Sequence, residues 1–194
     1  MHLSGIKVVF PSTPADAKGL LLSSVRDPNP VVFLLDLVLA GKKGPVPEGA
    51  YSVPLGVADV KRYGSDVSVI AIGSAVGQAL EVAEELASEG VSVEVVDPRT
   101  LVPFDWETVS VSVRRTGRVV IVDPARRTCG AAAEIAARLS ELVPDALTTP
   151  PRRVTWQDVP IPFSPPLEKA VTIGNDAIRD EILACVNGRP SEEG

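Results

Sequence analysis

The chain has 194 residues, a formal net charge of −6, and a composition of 45% hydrophobic and 23% charged residues. This length and apolar content predict a packed core, in one domain or two small ones, and exclude an intrinsically disordered chain. The acidic balance argues against a nucleic-acid partner, and no apolar run approaches the roughly 20 residues that a membrane span requires.

The first forty residues predict one β-α-β unit. Residues 6–10 read as a strand, and Thr13 with Pro14 is typical of a helix cap followed by the first helical position. This helix is expected to end near Arg26, because prolines follow closely, and residues 31–35 form the next predicted strand. A single unit of this kind is too small for a core of its own, so it needs a neighbour to pack against.

The next segment, 41–56, is rich in glycine and proline and is predicted to be a linker. Strands and amphipathic helices alternate beyond it. The predicted strands are 67–72, 91–96, 118–122 and 153–155, and the predicted helices are 75–89, 106–115, 131–142 and 175–186. Because the strands are nearly continuous runs of Val and Ile, the sheet should be covered on both faces. The fold class is therefore α/β, a three-layer α/β/α domain over 57–188 with a mostly parallel sheet, and 189–194 is predicted to be a disordered tail.

Nucleophilic catalysis finds little support in the sequence. The one histidine, His2, stands beside the initiator methionine, where chain ends are usually poorly ordered. Cys129 and Cys185 lack the paired spacing of a zinc or redox motif, and both are expected on apolar helix faces. Two isolated thiols without a secretory leader indicate a cytoplasmic protein. No catalytic residue is predicted.

Four loop segments carry polar side chains with two alternative interpretations each. The turn Gly73–Gly77 lacks the glycine spacing of a phosphate site, which favours a purely structural turn in which Ser74 caps the next helix. Asp97 and Arg99 follow a predicted strand and suggest a buried ion pair more than a ligand site. The arginine doublets 126–127 and 152–153 are either solvated loop charge or a surface for an anionic partner.

The end of the first helix is a candidate cation site. The last carbonyls of a helix lack intrahelical partners and carry partial negative charge. The side chains of Asp27 and Asn29 add oxygens of the kind that hard cations prefer. The same Asp-Pro-Asn-Pro sequence is also ordinary turn chemistry.

Several runs resemble the beta subunit of thiamine-diphosphate-dependent 2-oxoacid dehydrogenases. This group of the transketolase superfamily includes the pyruvate, branched-chain and acetoin enzymes. The likeness extends over nearly the whole chain, and its most distinctive runs are GIKVVFPSTPADAKGLL at 5–21, VRDPNPVVFL at 25–34, VEVVDPRTL at 93–101 and DVPIPF at 158–163.

The resemblance implies a domain organisation. Residues 1–40 correspond to the last part of a pyrimidine-binding domain, and 57–188 to a transketolase C-terminal domain, which in the family serves subunit association. The family's cofactor-activating glutamate and active-site histidine have no counterpart here, so no catalytic and no cofactor-binding residue is expected, and the chain alone should be inactive.

The resemblance also implies ligands and partners. In the family, the thiamine diphosphate ylide attacks a 2-oxoacid, carbon dioxide leaves, and the acyl group passes to lipoamide. Thiamine diphosphate and magnesium belong to the full assembly, with an alpha subunit and a lipoamide acyltransferase core. The family's potassium ion would be held partly by Ser24, Val25, Asp27 and Asn29. A homo-oligomer is expected, and the alternative is a stand-alone dimerisation or docking module without enzymatic activity.

Overall fold

A computed structural model describes residues 1–189. The strands are β1 Lys7–Val9, β2 Val31–Phe33, β3 Asp59–Arg62, β4 Val67–Ala71, β5 Val93–Asp97, β6 Thr100–Val102, β7 Val119–Arg126 and β8 Arg152–Trp156. The helices are α1 Pro14–Arg26, α2 Leu37–Ala40, α3 Ala75–Ser88, α4 Trp106–Thr116, α5 Ala131–Leu142, α6 Pro165–Val171 and α7 Asn175–Val186. Residues 190–194, most of the predicted disordered tail, lie outside the described part.

The N-terminal unit consists of β1, α1, β2 and α2. β1 and β2 pair in parallel, as a β-α-β unit requires. The Thr13 side chain accepts a hydrogen bond from the Asp16 backbone N–H, which confirms the predicted cap of α1. The sheet has a third strand that the sequence did not reveal, because β6 pairs antiparallel with β1 from far along the chain.

The larger part of the molecule is a five-stranded domain. Its sheet has the order β3-β5-β4-β7-β8, in which β4, β5, β7 and β8 are parallel and β3 is an antiparallel edge strand. One apolar cluster joins the sheet to α3 and α7, and a second cluster joins the opposite face to α4 and α5. The predicted three-layer α/β/α class with a mostly parallel sheet is confirmed.

Local predictions at the helix ends had mixed outcomes. Asp105 caps α4 as expected, with its side chain accepting from the Thr108 N–H. Ser74 does not cap α3, because its own backbone is already helical and its side chain makes no capping hydrogen bond. β3 and α6 were not predicted. The sequence of β3, Asp-Val-Lys-Arg, is too polar for the pattern of a buried strand. α6 begins with two prolines, which are typical of loops but also fit the first positions of a helix.

The connection between α2 and β3 contains no helix or strand, but it packs on α1. The Tyr51 hydroxyl donates to the Ala15 carbonyl over 2.7 Å, and the Val53 N–H donates to the Gly19 carbonyl over 3.1 Å. A Cβ on Gly19 would lie 2.5 Å from the Val53 side chain, so the close approach requires glycine. The limits 1–40, 41–56 and 57–188 stay predictions.

Within residues 1–189, no helix is both long enough and apolar enough to cross a bilayer.

Candidate functional site

The four predicted cation ligands lie at the C-terminal end of α1, and a lysine joins them. The Asp27 N–H donates to the Ser24 carbonyl over 3.3 Å. One carboxylate oxygen of Asp27 accepts from the N–H and the side-chain amide of Asn29, at 2.9 and 3.0 Å. The other accepts from the Lys7 ammonium group. The Lys7 and Asn29 donors lower the pKa of Asp27 to about 2, so this carboxylate is charged at neutral pH.

The oxygen atoms at the end of α1 provide part of a cation site. Both carboxylate oxygens of Asp27 are engaged by Lys7 and Asn29, which leaves the carbonyls of the last turn of α1 as the oxygens for an ion. Neutral carbonyls suit a monovalent cation better than a divalent one, which needs several charged or water ligands. Within residues 1–189, no three His, Cys, Asp or Glu side chains are grouped so that they could hold a metal ion.

A second polar site lies at the seam between the N-terminal unit and the five-stranded domain. We call Asp16, Asp59, Lys61, Asp97 and Arg99 the seam cluster. The Lys61 ammonium lies 2.8 Å from Asp16, 2.7 Å from Asp59 and 3.7 Å from Asp97. The Arg99 guanidinium lies 2.9 Å from Asp16 and 2.7 Å from Asp59.

The predicted Asp97–Arg99 ion pair is wrong. The only group of Arg99 that donates to Asp97 is its backbone N–H, over 2.9 Å. The Arg99 guanidinium lies instead beside Asp16 and Asp59. The reason is that the fold brings two other carboxylates, Asp16 and Asp59, within 3 Å of the guanidinium. Arg99 has a left-handed backbone, with φ of 58°. Burial raises the pKa of Asp97 to about 6, against the opposing effects of the Ser12 hydroxyl and Lys61.

Other candidate residues have separate surroundings. Cys185 is buried on α7 as expected, but Cys129 is exposed in the loop before α5 rather than on a helix face. A cavity of about 850 Å³ lies between β6 and the region from the end of β7 to the start of α5, with Phe10, Phe104 and Trp106 among its lining residues. Asp123 also lines this cavity, and burial raises the pKa of its carboxyl group.

The arginine doublets do not form one charged surface. Arg152 is buried in β8 and pairs with Glu181 over 2.9 Å, so neither the solvated-charge reading nor the partner-surface reading applies to it. Arg126 and Arg127 lie in a different part of the fold. Arg126 is the last residue of β7, and Arg127 belongs to the loop that follows it.

The N-terminal unit also exposes large apolar side chains. We call Leu21, Val25, Val32, Leu35, Leu37 and Val38 the apolar set; their exposed fractions range from 44% to 89%. Leu21 and Val25 are four residues apart and therefore share one side of α1. Neither β2 nor α2 has a fully buried residue. Exposed apolar surface on this scale is typical of protein–protein contacts.

Comparison with known proteins identifies the family. Residues 56–178 match the family model described as "Transketolase, C-terminal domain". The chain belongs to this family. The match covers the five-stranded domain from β3 into α7, the part of the fold with a complete core.

Curated relatives match a larger share of the chain than the family model does. The acetoin:2,6-dichlorophenolindophenol oxidoreductase subunit beta of Cupriavidus necator is 47% identical over 86% of this chain and 49% of its own length. The pyruvate dehydrogenase E1 component subunit beta of Bacillus subtilis is 47% identical over 82% of this chain and 50% of its own length. The homologues are thus beta subunits of acetoin and pyruvate dehydrogenases, as the sequence resemblance predicted. The chain spans about half the length of the curated relatives it matches.

A solved structure supports the fold. A chain described as "Split gene transketolase, inactive beta4 tetramer" superposes with a TM-score of 0.82 and 25% identity, over 97% of this chain and 60% of that one. The superposition includes both the N-terminal unit and the five-stranded domain.

Proposed function

We propose that this chain is the beta-subunit portion of the decarboxylating component of a 2-oxoacid dehydrogenase complex. The supporting observation is that beta subunits of acetoin and pyruvate dehydrogenases match it at 45–47% identity over 82–86% of its length. In such a complex it would contribute to oxidative decarboxylation of a 2-oxoacid and to acyl transfer to lipoamide. Its own part is subunit association, and alone it is inactive.

The proposed association uses the apolar set of the N-terminal unit. A homo-oligomer is supported by these exposed side chains and by the beta4 tetramer among the structural neighbours. The further partners are an alpha subunit, in keeping with the subunit names of the relatives, and the lipoamide acyltransferase core of the complex. Apolar side chains favour association because their contact removes hydrocarbon surface from water.

Thiamine diphosphate and magnesium enter the proposal as ligands of the full assembly. When bound, thiamine diphosphate supplies the carbanion chemistry of 2-oxoacid decarboxylation. We propose that this chain holds neither by itself. A potassium ion would be held at the end of α1 by the carbonyls of Ser24 and Val25, with Asp27 and Asn29 shaping the turn around it. We place the chain in the cytoplasm, which its two unpaired thiols support.

The alternative function is a stand-alone dimerisation or docking module. The exposed apolar set supports it as well, because self-association needs no cofactor. The two functions differ in partner choice. A beta-subunit portion binds the alpha subunit of a pyruvate dehydrogenase E1 component, whereas a stand-alone module binds only itself.

Size-exclusion chromatography with light scattering tests the association. We expect masses that are multiples of 20.4 kDa and rise with protein concentration. Replacing Leu37 by aspartate should shift the chain toward monomer, since the charge would have to be desolvated in the contact. The control is Val111→Asp, which changes another exposed apolar residue, on α4, and should leave the mass unchanged.

Two further measurements address the assigned function. Purified alpha subunit of a pyruvate dehydrogenase E1 component, mixed with this chain, should elute with it as a complex. Calorimetric titration with thiamine diphosphate and magnesium should show no micromolar binding by this chain alone. A strictly monomeric chain at high concentration contradicts the association role. If the chain forms an oligomer but does not bind the alpha subunit, its function is that of a stand-alone module.

A further inference from the structure

The seam cluster joins two parts of the molecule through buried charge. Asp16 belongs to the first turn of α1, whereas Asp59 and Lys61 lie on β3, and Asp97 and Arg99 lie at the end of β5. The Ser12 hydroxyl also crosses the seam and donates to Asp97. Separating the N-terminal unit from the five-stranded domain would break every one of these cross-seam contacts.

The charges of the cluster do not balance. Three carboxylates, those of Asp16, Asp59 and Asp97, face two cations. Lys61 and Arg99 each lie within 3 Å of both Asp16 and Asp59. Asp97 is farther from Lys61, at 3.7 Å, and makes no contact with the Arg99 guanidinium. The closed seam therefore carries one surplus negative charge, at its most weakly compensated carboxylate.

Asp97 is also the most deeply buried member of the cluster. Its side chain has 0% exposure, compared with 36% for Asp59. A charge removed from water without full compensation is unfavourable, and a carboxylate can avoid that state by binding a proton. We propose that the seam cluster is a proton-operated clasp, in which proton uptake at Asp97 tightens the seating of the N-terminal unit on the five-stranded domain.

The groups around Asp97 come from every element at the seam. The loop before α1 contributes the hydroxyl of Ser12, and α1 contributes Asp16. β3 contributes Lys61 and Asp59, and the turn after β5 contributes the N–H of Arg99. Lys61 opposes protonation of Asp97, whereas Asp16 favours it. Burial outweighs the lowering effects of Ser12, Lys61 and the Arg99 N–H on the pKa of Asp97.

The sign of the pH dependence follows from the raised pKa of Asp97. The group has a pKa of about 6 in the closed seam and 3.8 in its ordinary state. Between these values the closed form holds more protons than the open form, so lower pH favours closure. Asp16 acts in the opposite sense, because its pKa is lowered in the closed seam by the Lys61 and Thr13 hydrogen bonds despite its burial. Its contribution is lost only below the ordinary range of an aspartate.

Hydrogen exchange measured across pH tests the clasp. The amides of Val9 in β1 and Leu20 in α1 report on the N-terminal unit, and that of Ile121 in β7 reports on the five-stranded domain. After correction for intrinsic exchange, protection of Val9 and Leu20 relative to Ile121 should increase about fivefold between pH 6 and pH 5, and should change little above pH 7. Protein concentration is held constant and the mass is followed by light scattering, so that changes in self-association are detected separately.

Asp97→Asn is the deciding variant. It removes the titrating carboxyl group while preserving its shape, so the relative protection should become independent of pH between 5 and 7. Asp145→Asn removes an exposed carboxylate that pairs with Arg114 and should retain the wild-type dependence. Ser12→Ala keeps the carboxyl group of Asp97 but removes a donor to it, and should move the midpoint to higher pH.

A direct titration covers the case in which Asp97→Asn does not fold. The carboxyl carbon resonance of Asp97, followed by NMR in the wild-type chain, should titrate near pH 6. A midpoint below pH 4.5 overturns the clasp, and so does a flat exchange profile in the wild-type chain. Failure of these tests leaves the proposed subunit association untouched, because the apolar set takes no part in the seam cluster.

Discussion

The N-terminal unit and the five-stranded domain differ in how completely their apolar residues are buried. Every residue of β4 and β5 is buried, between helices on both sides of the sheet. β2 and α2, in contrast, contain no fully buried residue. The larger domain therefore builds most of its core from its own sequence, whereas the N-terminal unit keeps apolar side chains that only a further surface could cover.

The two regions also meet in a particular way. Val8 and Phe10 of the N-terminal unit join the apolar cluster that contains α4 and α5, and a Cβ on Gly73 would lie 2.7 Å from the Phe10 ring. Beside this apolar contact lies the seam cluster of buried charges. The stability of the N-terminal unit thus depends on the neighbouring domain.

The largest expected effect comes from removing the central cation of the seam. Lys61→Met leaves three carboxylates facing one arginine, and breaking a buried ion pair in this way costs about 3–5 kcal/mol. Exchange of amides in β1 and α1 should increase far more than exchange in β7. The control Lys43→Met changes an exposed lysine and should alter neither. Equal loss of protection in both regions would show that they do not unfold separately.

Core truncation should sharpen the contrast between the two regions. Ile121 is fully buried in β7, and Ile121→Ala is expected to lower the free energy of unfolding by about 2–5 kcal/mol. Leu37 is 89% exposed, so Leu37→Ala should change it by less than about 0.5 kcal/mol. Urea unfolding at low protein concentration measures both. A large loss in Leu37→Ala would mean that the apolar set is already covered in the monomer.

The smallest effect concerns the cap of α1. Thr13→Ala removes the acceptor for the Asp16 N–H and should destabilise the chain by about 1 kcal/mol. Ser74→Ala is the matched control, because Ser74 precedes α3 without capping it and should be nearly neutral. Thermal unfolding of the two variants, followed by circular dichroism, compares them. Equal destabilisation by both substitutions would contradict the role of Thr13.

Elements that depend on interactions between neighbouring residues were predicted more accurately than elements that depend on distant parts of the chain. α5 and α7 have the predicted limits, because periodicity and nearby breakers are local signals. β6 could not be predicted, since Thr100–Val102 is a strand only by pairing with β1 more than ninety residues earlier. The prediction of an Asp97–Arg99 ion pair was wrong for a related reason. Sequence proximity suggested the pair, but Arg99 bonds to carboxylates that the fold brings from elsewhere.

The candidate sites show the same division. The four residues at the end of α1 are close in sequence, so their grouping was predictable, but the Lys7 ammonium that engages Asp27 was not. The seam cluster draws on positions from 16 to 99, and the sequence indicated only Asp97 and Arg99 among its members.

The sequence by itself determined the α/β class, the covered sheet, the single terminal histidine and the likeness to beta subunits, because composition, periodicity and motif runs are properties of neighbouring residues. Only the tertiary structure decided which side chains share a buried space. It brought three carboxylates to two cations at one seam and left the apolar set exposed. Charge compensation and apolar burial depend on distances through space, and the order of residues along the chain does not state those distances.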